Sequence, residues 1–290
     1  MTVSKIPIRF LLTLILVCGQ AFSYAAKPSP SPIHCNAVKT DSTLSSSTSS
    51  LPRTAPANWQ VKVHKTYPHR SNAFTQGLIY YQEQLFESTG HYGQSSISQI
   101  NINSGETIQH RALNESVFGE GITIWNNELI QLTWKSGQVY RYSLPDLSLL
   151  QTQTISGEGW GLTHNNQSLI SSNGSAQLSF RDPLSLAVQS TLDVTYLGRP
   201  LKNLNELEWV NGCILANIWQ SPYIAIIDPS SGQTTGIIDL GRIVAHEQKT
   251  AISEVANGIA WLAESQRLLI TGKYWQRIYE IELLKTPSSK

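Results

Sequence analysis

The stretch Gln76-Gly77-Leu78-Ile79, followed by Gln84-Leu85-Phe86-Glu87, sets a grammar that recurs four more times. The second copy reads Glu120-Gly121-Ile122-Thr123, then Glu128-Leu129-Ile130-Gln131. The third reads Trp160-Gly161-Leu162-Thr163, then Ser168-Leu169-Ile170-Ser171. The fourth is Asn205-Glu206-Leu207-Glu208, then Cys213-Ile214-Leu215-Ala216, and the fifth Asn257-Gly258-Ile259-Ala260, then Arg267-Leu268-Leu269-Ile270. The steps between the lead residues are 44, 40, 45 and 52. Each copy is a short apolar strand, a polar turn such as Asn126-Asn127, Asn165-Asn166 or Asn211-Gly212, and a second strand. Third and fourth strands follow, as in the runs beginning at Gly137 and Tyr223, with turns at Asn103-Ser104-Gly105, Pro145-Asp146 and Asp228 to Gly232. Four short strands in every ~40–50 residues, repeated, predict an all-β fold, a five-bladed β-propeller. A sandwich would also show many strands but not five matching copies. The strand around Val61 is expected to complete the last blade and close the ring, which protects edges that an open array would expose.

The first strand of each blade lines a central channel, so the lead residues Gln76, Glu120, Trp160, Asn205 and Asn257 should converge at one mouth. The ends of the second strands add Thr89, Trp134, Asn173, Trp219 and Lys273. A purely structural repeat would reuse one residue type at such slots. Here they hold a carboxylate, amides, indoles and an ammonium, the variety expected of a ligand pocket. Singly, a Glu or Asn at a strand start more often caps backbone, and a Trp at a strand end more often packs a core. Their coincidence at equivalent slots shifts that balance.

The rest of the 290-residue chain bounds its setting. Net charge is +1 with scattered Lys and Arg, so nothing suggests nucleic acid. Eight Trp against one Met suggest a site lined with rings, because a buried indole N–H needs a partner. Residues 1–26 read as an export signal. Lys5 and Arg9 precede the apolar run Phe10 to Cys18, and small residues stand at Ser23 to Ala26. The run is short for a membrane span, which takes ~20 residues, although an uncleaved anchor remains the alternative. Residues 27–57, rich in Ser, Pro and Thr, read as a disordered spacer, and 58–290 as the propeller domain. After cleavage Cys35 and Cys213 remain; two cysteines allow one disulfide and cannot assemble a zinc–thiolate site. The seven histidines show no ligand spacing, and neither a nucleophile elbow nor a phosphate loop is present. Asn114, Asn166 and Asn173 begin glycosylation sequons.

Nine motifs, in order, also carry a resemblance. They are Phe74-Thr-Gln-Gly-Leu, Phe86-Glu-Ser-Thr-Gly-His-Tyr-Gly, Phe118-Gly-Glu-Gly-Ile-Thr, Gln131-Leu-Thr-Trp-Lys, Gly159-Trp-Gly-Leu-Thr, Asn205-Glu-Leu-Glu-Trp, Ala216-Asn-Ile-Trp, Asn257-Gly-Ile-Ala and Thr271-Gly-Lys-Tyr-Trp. Together they resemble the plant-type glutaminyl-peptide cyclotransferases, also found in bacteria. The resemblance implies a five-bladed propeller that converts N-terminal glutamine of peptides or proteins to pyroglutamate and releases ammonia, without metal or cofactor. It implies pocket residues Phe74, Gln76, Phe118, Glu120, Trp134, Trp160, Asn205, Trp219 and Lys273. One departure is Asn173, where the family more often has Asp. Glu120 is the only acidic lead residue, so it is assigned as proton shuttle, with Lys273 beside it as a catalytic cation. A monomer exported to the periplasm or beyond is expected. The rival readings are a propeller that binds peptide or sugar without chemistry, and a metal-dependent hydrolase of the lactonase kind.

Overall fold

Tight turns fold each copy back on itself. Asn126 and Asn127 have φ of 48° and 64°, and Asn211 and Gly212 have 49° and 84°. Two consecutive left-handed residues make the hairpin turn whose twist matches its flanking strands. In the first copy the same turn falls on Gln82 and Glu83, which carry no turn signal in their sequence.

The computed structural model describes residues 33–35, 56–247 and 254–285. The segment read as an export signal lies outside them. The first strand, β1 (Ala57–Pro68), precedes all the copies. The first copy supplies β2 (Thr75–Tyr81), β3 (Gln84–Thr89), β4 (Ser96–Ile100) and β5 (Thr107–Ala112). The second supplies β6 (Gly119–Trp125), β7 (Glu128–Thr133), β8 (Gln138–Ser143) and β9 (Leu149–Thr154). The third supplies β10 (Leu162–His164), β11 (Leu169–Ser171), β12 (Gln177–Arg181) and β13 (Val188–Asp193), then the small hairpin β14 (Thr195–Tyr196) and β15 (Arg199–Pro200). The fourth holds β16 (Leu204–Val210), β17 (Cys213–Ile218), β18 (Tyr223–Ile227) and β19 (Thr234–Asp239), then helix α1 (Gly241–Glu247). Among the described residues the fifth has three strands of its own, β20 (Ala256–Leu262), β21 (Arg267–Gly272) and β22 (Arg277–Lys285).

The first three copies each form an antiparallel four-stranded sheet in chain order. The fifth borrows its outer strand from the front of the chain, since β1 pairs antiparallel with β22 from Trp59–Lys285 to Pro68–Arg277. The Val61 strand therefore stands where its sequence predicts. Beyond that expectation, Ala57–Gln60 also pair parallel with Gly236–Asp239, which joins the fourth and fifth sheets edge to edge.

Burial falls from the first strand of a sheet to its fourth. Strand β6 is buried along nearly its whole length, whereas β9 is almost wholly exposed. Five apolar clusters occupy the gaps between successive sheets. Phe86 and Ile97 meet Ile122 and Leu129, Ile130 meets Leu162, Ile170 meets Leu207, Leu215 meets Ile259, and Ala260 meets Leu78. The last contact returns to the first sheet. The innermost strands touch in the same cycle, β2 to β6 to β10 to β16 to β20 and back to β2.

The glycine after four of the five lead residues has a steric cause. A Cβ on Gly121 would lie 2.6 Å from Trp160 O and Leu162 N of the next inner strand, and one on Gly161 would collide with the Asn205 carbonyl. The fourth copy has Glu206 in that slot. Its wholly buried carboxylate accepts Leu78 N at 3.3 Å and Ile259 N at 2.9 Å, tying the first and fifth inner strands to the fourth.

Two features of the structure were not anticipated from the sequence. Within the stretch 27–57, read as disordered, Ile33 is buried between the fourth and fifth sheets and Cys35 is disulfide-bonded to Cys213. Averaged composition hides one Ile and one Cys in a run of Ser and Pro. A cross-link across 178 residues removes about 5 kcal/mol of unfolded-chain entropy on the loop model. Helix α1 was also not anticipated; it sits in the longest step of the repeat and buries Ile243 and Glu247.

Candidate active site

Every inner strand but the third begins with an irregular pairing. One extra residue interrupts the ladder between Thr75 and Gly77, Gly119 and Ile122, Leu204 and Leu207, and Ala256 and Ile259. The lead residues Gln76, Glu120, Asn205 and Asn257 fall inside these bulges. A bulge turns a side chain out of the alternation of its strand, and here it turns polar residues toward one end of the ring. In the third copy Trp160 stands just before β10, its N–H bonded to Ser172 O at 3.0 Å.

In four of the five copies the residue after the second strand is held by a matching bond to the residue two before the lead; in the third, Ser172 N donates to Gly161 O instead. Trp134 N donates to Phe118 O (3.0 Å), Trp219 N to Asn203 O (2.8 Å) and Lys273 N to Val255 O (3.0 Å). In the first copy Gly90, not Thr89, occupies this slot, donating to Phe74 O at 2.9 Å. A Cβ there would collide with the Phe118 ring. Thr89 instead shares a hydrogen bond with Ser96, and Asn173 is exposed with its amide oxygen turned to Ser175.

The result is a cavity of about 250 Å³ lined by Phe74, Gln76, His91, Phe118, Glu120, Trp134, Trp160, Asn205, Trp219 and Lys273. All nine site residues expected from sequence face it. His91 is the addition. It lies 4.2 Å from the Phe74 ring, and its Nε2 is 2.8 Å from Tyr274 OH. Phe118 meets Trp134 edge to face at 5.6 Å, and Trp160 meets Trp219 at 5.5 Å and 88°. A larger cavity of about 570 Å³, lined by Trp59, Tyr196 and Tyr223 among others, brings no acid and base together, its one charged residue being Asp239.

Glu120 is wholly buried. Its Oε1 accepts Gln76 Nε2 at 2.9 Å, and the Gln76 amide is fixed by Asn257 Nδ2, which donates to Gln76 Oε1 at 3.1 Å and to Thr75 O at 3.0 Å. Asn257, which lines no part of the cavity, thus orients the residue that orients Glu120. Glu120 Oε2 and Asn205 Oδ1 are buried without a hydrogen-bond partner among the described residues. Buried polar atoms are rarely left so, and those that are mark strain or function. Burial pushes the Glu120 carboxyl well above its ordinary range; the Lys273 charge opposes this, Glu158 adds to it, and the Gln76 bond opposes it. Burial also lowers Lys273 to about 8, partly offset by Glu120. The Lys273 ammonium lies 4.5 Å above the Phe74 ring. An acid raised and a base lowered in one apolar cavity are tuned toward each other, a feature of catalytic sites. Among the described residues, no group of three or more His, Cys, Asp or Glu is placed to hold a metal.

Two residues near the site escaped the sequence reading. His91 sits inside the quoted run Phe86 to Gly93, and Glu158 stands two before the lead Trp160, the slot that delivers Phe74 and Phe118 elsewhere. Neither falls at a lead position or at the end of a second strand, the two slots that the repeat marks.

A family model described as glutamine cyclotransferase matches residues 35–283. The chain belongs to the glutamine cyclotransferase family. A glutaminyl-peptide cyclotransferase of Arabidopsis thaliana is 37% identical over 235 residues, which cover 80% of this chain and 73% of the relative. The crystal structure of Myxococcus xanthus glutaminyl cyclase superposes with a TM-score of 0.76 at 37% identity, covering 80% of this chain and all of that one.

Proposed function

We propose that this chain is a glutaminyl-peptide cyclotransferase, built as a five-bladed β-propeller, that converts N-terminal glutamine of peptides and proteins to pyroglutamate with release of ammonia. The observation that carries the reading is Glu120, a buried acid with one oxygen unpartnered among the described residues, in the wall of an aromatic cavity also lined by Lys273 and Asn205. Family membership supports it, as does the name of the Arabidopsis relative. The cyclic order of five four-stranded units supports the propeller.

The reaction is an intramolecular aminolysis. Nucleophile and electrophile belong to one residue, so the walls formed by Phe74, Phe118, Trp134, Trp160 and Trp219 mainly hold the folded-back rotamer. Proximity and orientation of this kind can supply several kcal/mol, up to about 7–11 in well-aligned cases. A free α-amine titrates near ~7.7–8.0. With the Glu120 carboxyl pushed up, the productive proton distribution is a neutral amine facing a carboxylic acid. The amine lone pair attacks the side-chain amide carbon and the C=O pair moves onto oxygen. Glu120 gives its proton to the amide nitrogen and takes one from the new ring nitrogen. The oxygen pair returns, the C–N bond to nitrogen breaks, ammonia leaves, and Glu120 regains its acid form. Asn205 Oδ1 is placed to accept a substrate N–H. The Trp134 and Trp160 N–H groups are already committed to Glu158, which makes Lys273 the foremost donor to the oxyanion. Excluding water from the cavity suppresses competing hydrolysis to glutamate.

Export to the periplasm or beyond, after loss of residues 1–26, belongs to this proposal, as do a monomeric state and independence of metal. The Cys35–Cys213 disulfide fits an oxidising compartment. No helix of the described residues is long and apolar enough to cross a membrane.

The test is ammonia release from a Gln-initiated peptide, a Glu-initiated peptide and free glutamine. Release from the first, and none from the second, is expected. A peptide bound without release of ammonia would favour the binding-module reading. Activity lost to a chelator and restored by metal would favour the metal-dependent one.

A further inference from the structure

Two walls of the pocket hang on one carboxylate. Trp134 Nε1 donates to Glu158 Oε2 at 2.8 Å, and Trp160 Nε1 donates to the same oxygen at 3.0 Å. These indoles come from different copies of the repeat, one at the end of a second strand and the other at a lead position. Glu158 does not line the cavity. It occupies the slot that in the first two copies sends Phe74 and Phe118 into the wall, and it holds two indoles from behind instead. The second torsion of a Trp side chain is broad, so backbone placement alone leaves the ring plane loose. A bond to the far edge of each ring fixes it, and Trp160 then sets the edge-to-face angle with Trp219.

We propose that Glu158 is the positioning residue of the pocket, locking Trp134 and Trp160 through one shared oxygen and so fixing the slot in which the folded-back glutaminyl side chain is held. This rests on the cyclotransferase reading and deepens it, since an intramolecular ring closure depends on that slot more than a simple binding site would. Glu158 also acts at a distance. The groups facing Glu120 are Lys273, Glu158 and Gln76, with His91 beyond Lys273. Of these, Glu158 contributes the negative charge that resists ionisation of Glu120.

Two substitutions separate geometry from charge. Glu158→Gln keeps an acceptor oxygen for the indoles and removes the charge, while Glu158→Ala removes both. With a Gln-initiated peptide, E158A is expected to lose about 10²-fold in kcat/KM, the scale of an ångström-sized misplacement. E158Q is expected to stay within about threefold of wild type at its own optimum, with the alkaline limb of its pH profile displaced to lower pH, because loss of a neighbouring anion makes Glu120 easier to deprotonate. Near-ultraviolet circular dichroism gives a readout independent of turnover. The indole signal should weaken in E158A and persist in E158Q, with far-ultraviolet spectra unchanged in both. The proposal is overturned by an E158A enzyme within threefold of wild type, or by an E158Q enzyme as slow as E158A. A poorly folded E158A leaves the decision to E158Q, whose unshifted profile would overturn it as well. A wild-type protein that releases no ammonia sinks the cyclotransferase reading instead, and the dichroism comparison then still reports whether Glu158 holds the indoles.

Discussion

Glu120 and Glu206 are one slot apart in the repeat frame and have opposite fates. Glu120 leads the second copy, and Glu206 follows the lead of the fourth. Both sit in bulges at the start of inner strands, both are wholly buried, and burial drives both carboxyls well above the ordinary range. Glu206 spends both oxygens on backbone N–H groups of the first and fifth inner strands. Glu120 spends one on Gln76 and keeps the other unpartnered beside the cavity. The difference teaches that burial and a raised pKa do not tell the two acids apart; an unpartnered oxygen on a residue that lines the cavity does. In the lead slot the bulge turns a side chain to the mouth of the ring. In the next slot it turns one to the axis, where four copies have glycine and the lone glutamate ties strands together.

The largest test of this contrast is Glu120→Gln. It should lower kcat for ammonia release by about 10²–10⁴-fold and leave the thermal midpoint near that of wild type. Survival of activity within tenfold would remove Glu120 from the proton path. Glu206→Leu should do the reverse. It strands the Leu78 and Ile259 N–H groups, at about 1–3 kcal/mol each, so denaturant unfolding should show a loss of about 2–6 kcal/mol. A stable variant would mean that the two bonds do not hold the axis. Asn257, in the lead slot like Glu120, does not line the cavity, and Asn257→Ala should have an effect between those of the two glutamates. It frees the Gln76 amide to rotate away from Glu120, and kcat should fall about tenfold, a modest misalignment cost, with the unfolding midpoint only slightly lower. An effect on stability alone would break the Asn257–Gln76–Glu120 chain.

The smallest effect is one of pH. Glu208, which accepts Trp261 N at 2.9 Å, is raised to about 8 by burial. A carboxyl whose folded pKa exceeds its unfolded value contributes stability that is complete below the unfolded value, near ~4.3, and is lost as pH rises through the folded one. Glu208→Gln should therefore melt with the wild type at pH 4 and a few degrees above it at pH 9. Equal melting at both would show that Glu208 is not held neutral. Glu87 runs the other way. Although burial pushes it up, His69, Arg70 and Thr75 outweigh that and bring it to about 2, so its contribution is present above the unfolded value and fades as pH falls toward 2.

The repeat was legible because its signal is local and periodic. Lead residues, polar turns and strand pairs recur at fixed offsets, and five copies repeated the same statement. Nine of the ten residues around the cavity could be chosen from that register and from the motifs they sit in. What escaped lay off the register. Thr89 was read where Gly90 stands, because only the bond to Phe74 O shows which residue fills the slot. His91 and Tyr274 are both non-glycine residues at positive φ, 84° and 62°, and meet across two sheets, which no spacing announces. Ile33 and Cys35 were lost in the average composition of their segment.

The sequence by itself determined the copy number, the order of the strands, the closing role of the Val61 strand and the identity of the one acidic lead residue. These follow from periodicity and turn chemistry, which act over a few residues. Tertiary structure alone decided that Glu158 holds two indoles at once and that Asn257 aims Gln76 at Glu120. It also decided that Glu206, unlike Glu120, has no oxygen to spare. Each depends on groups distant in the chain meeting within hydrogen-bond distance: Trp134 and Glu158 are 24 residues apart, Gln76 and Asn257 are 181 apart, and Glu206 is 128 and 53 residues from its two partners. Hydrogen bonds act over about 3 Å, and the ring, not the chain, sets which atoms come that close.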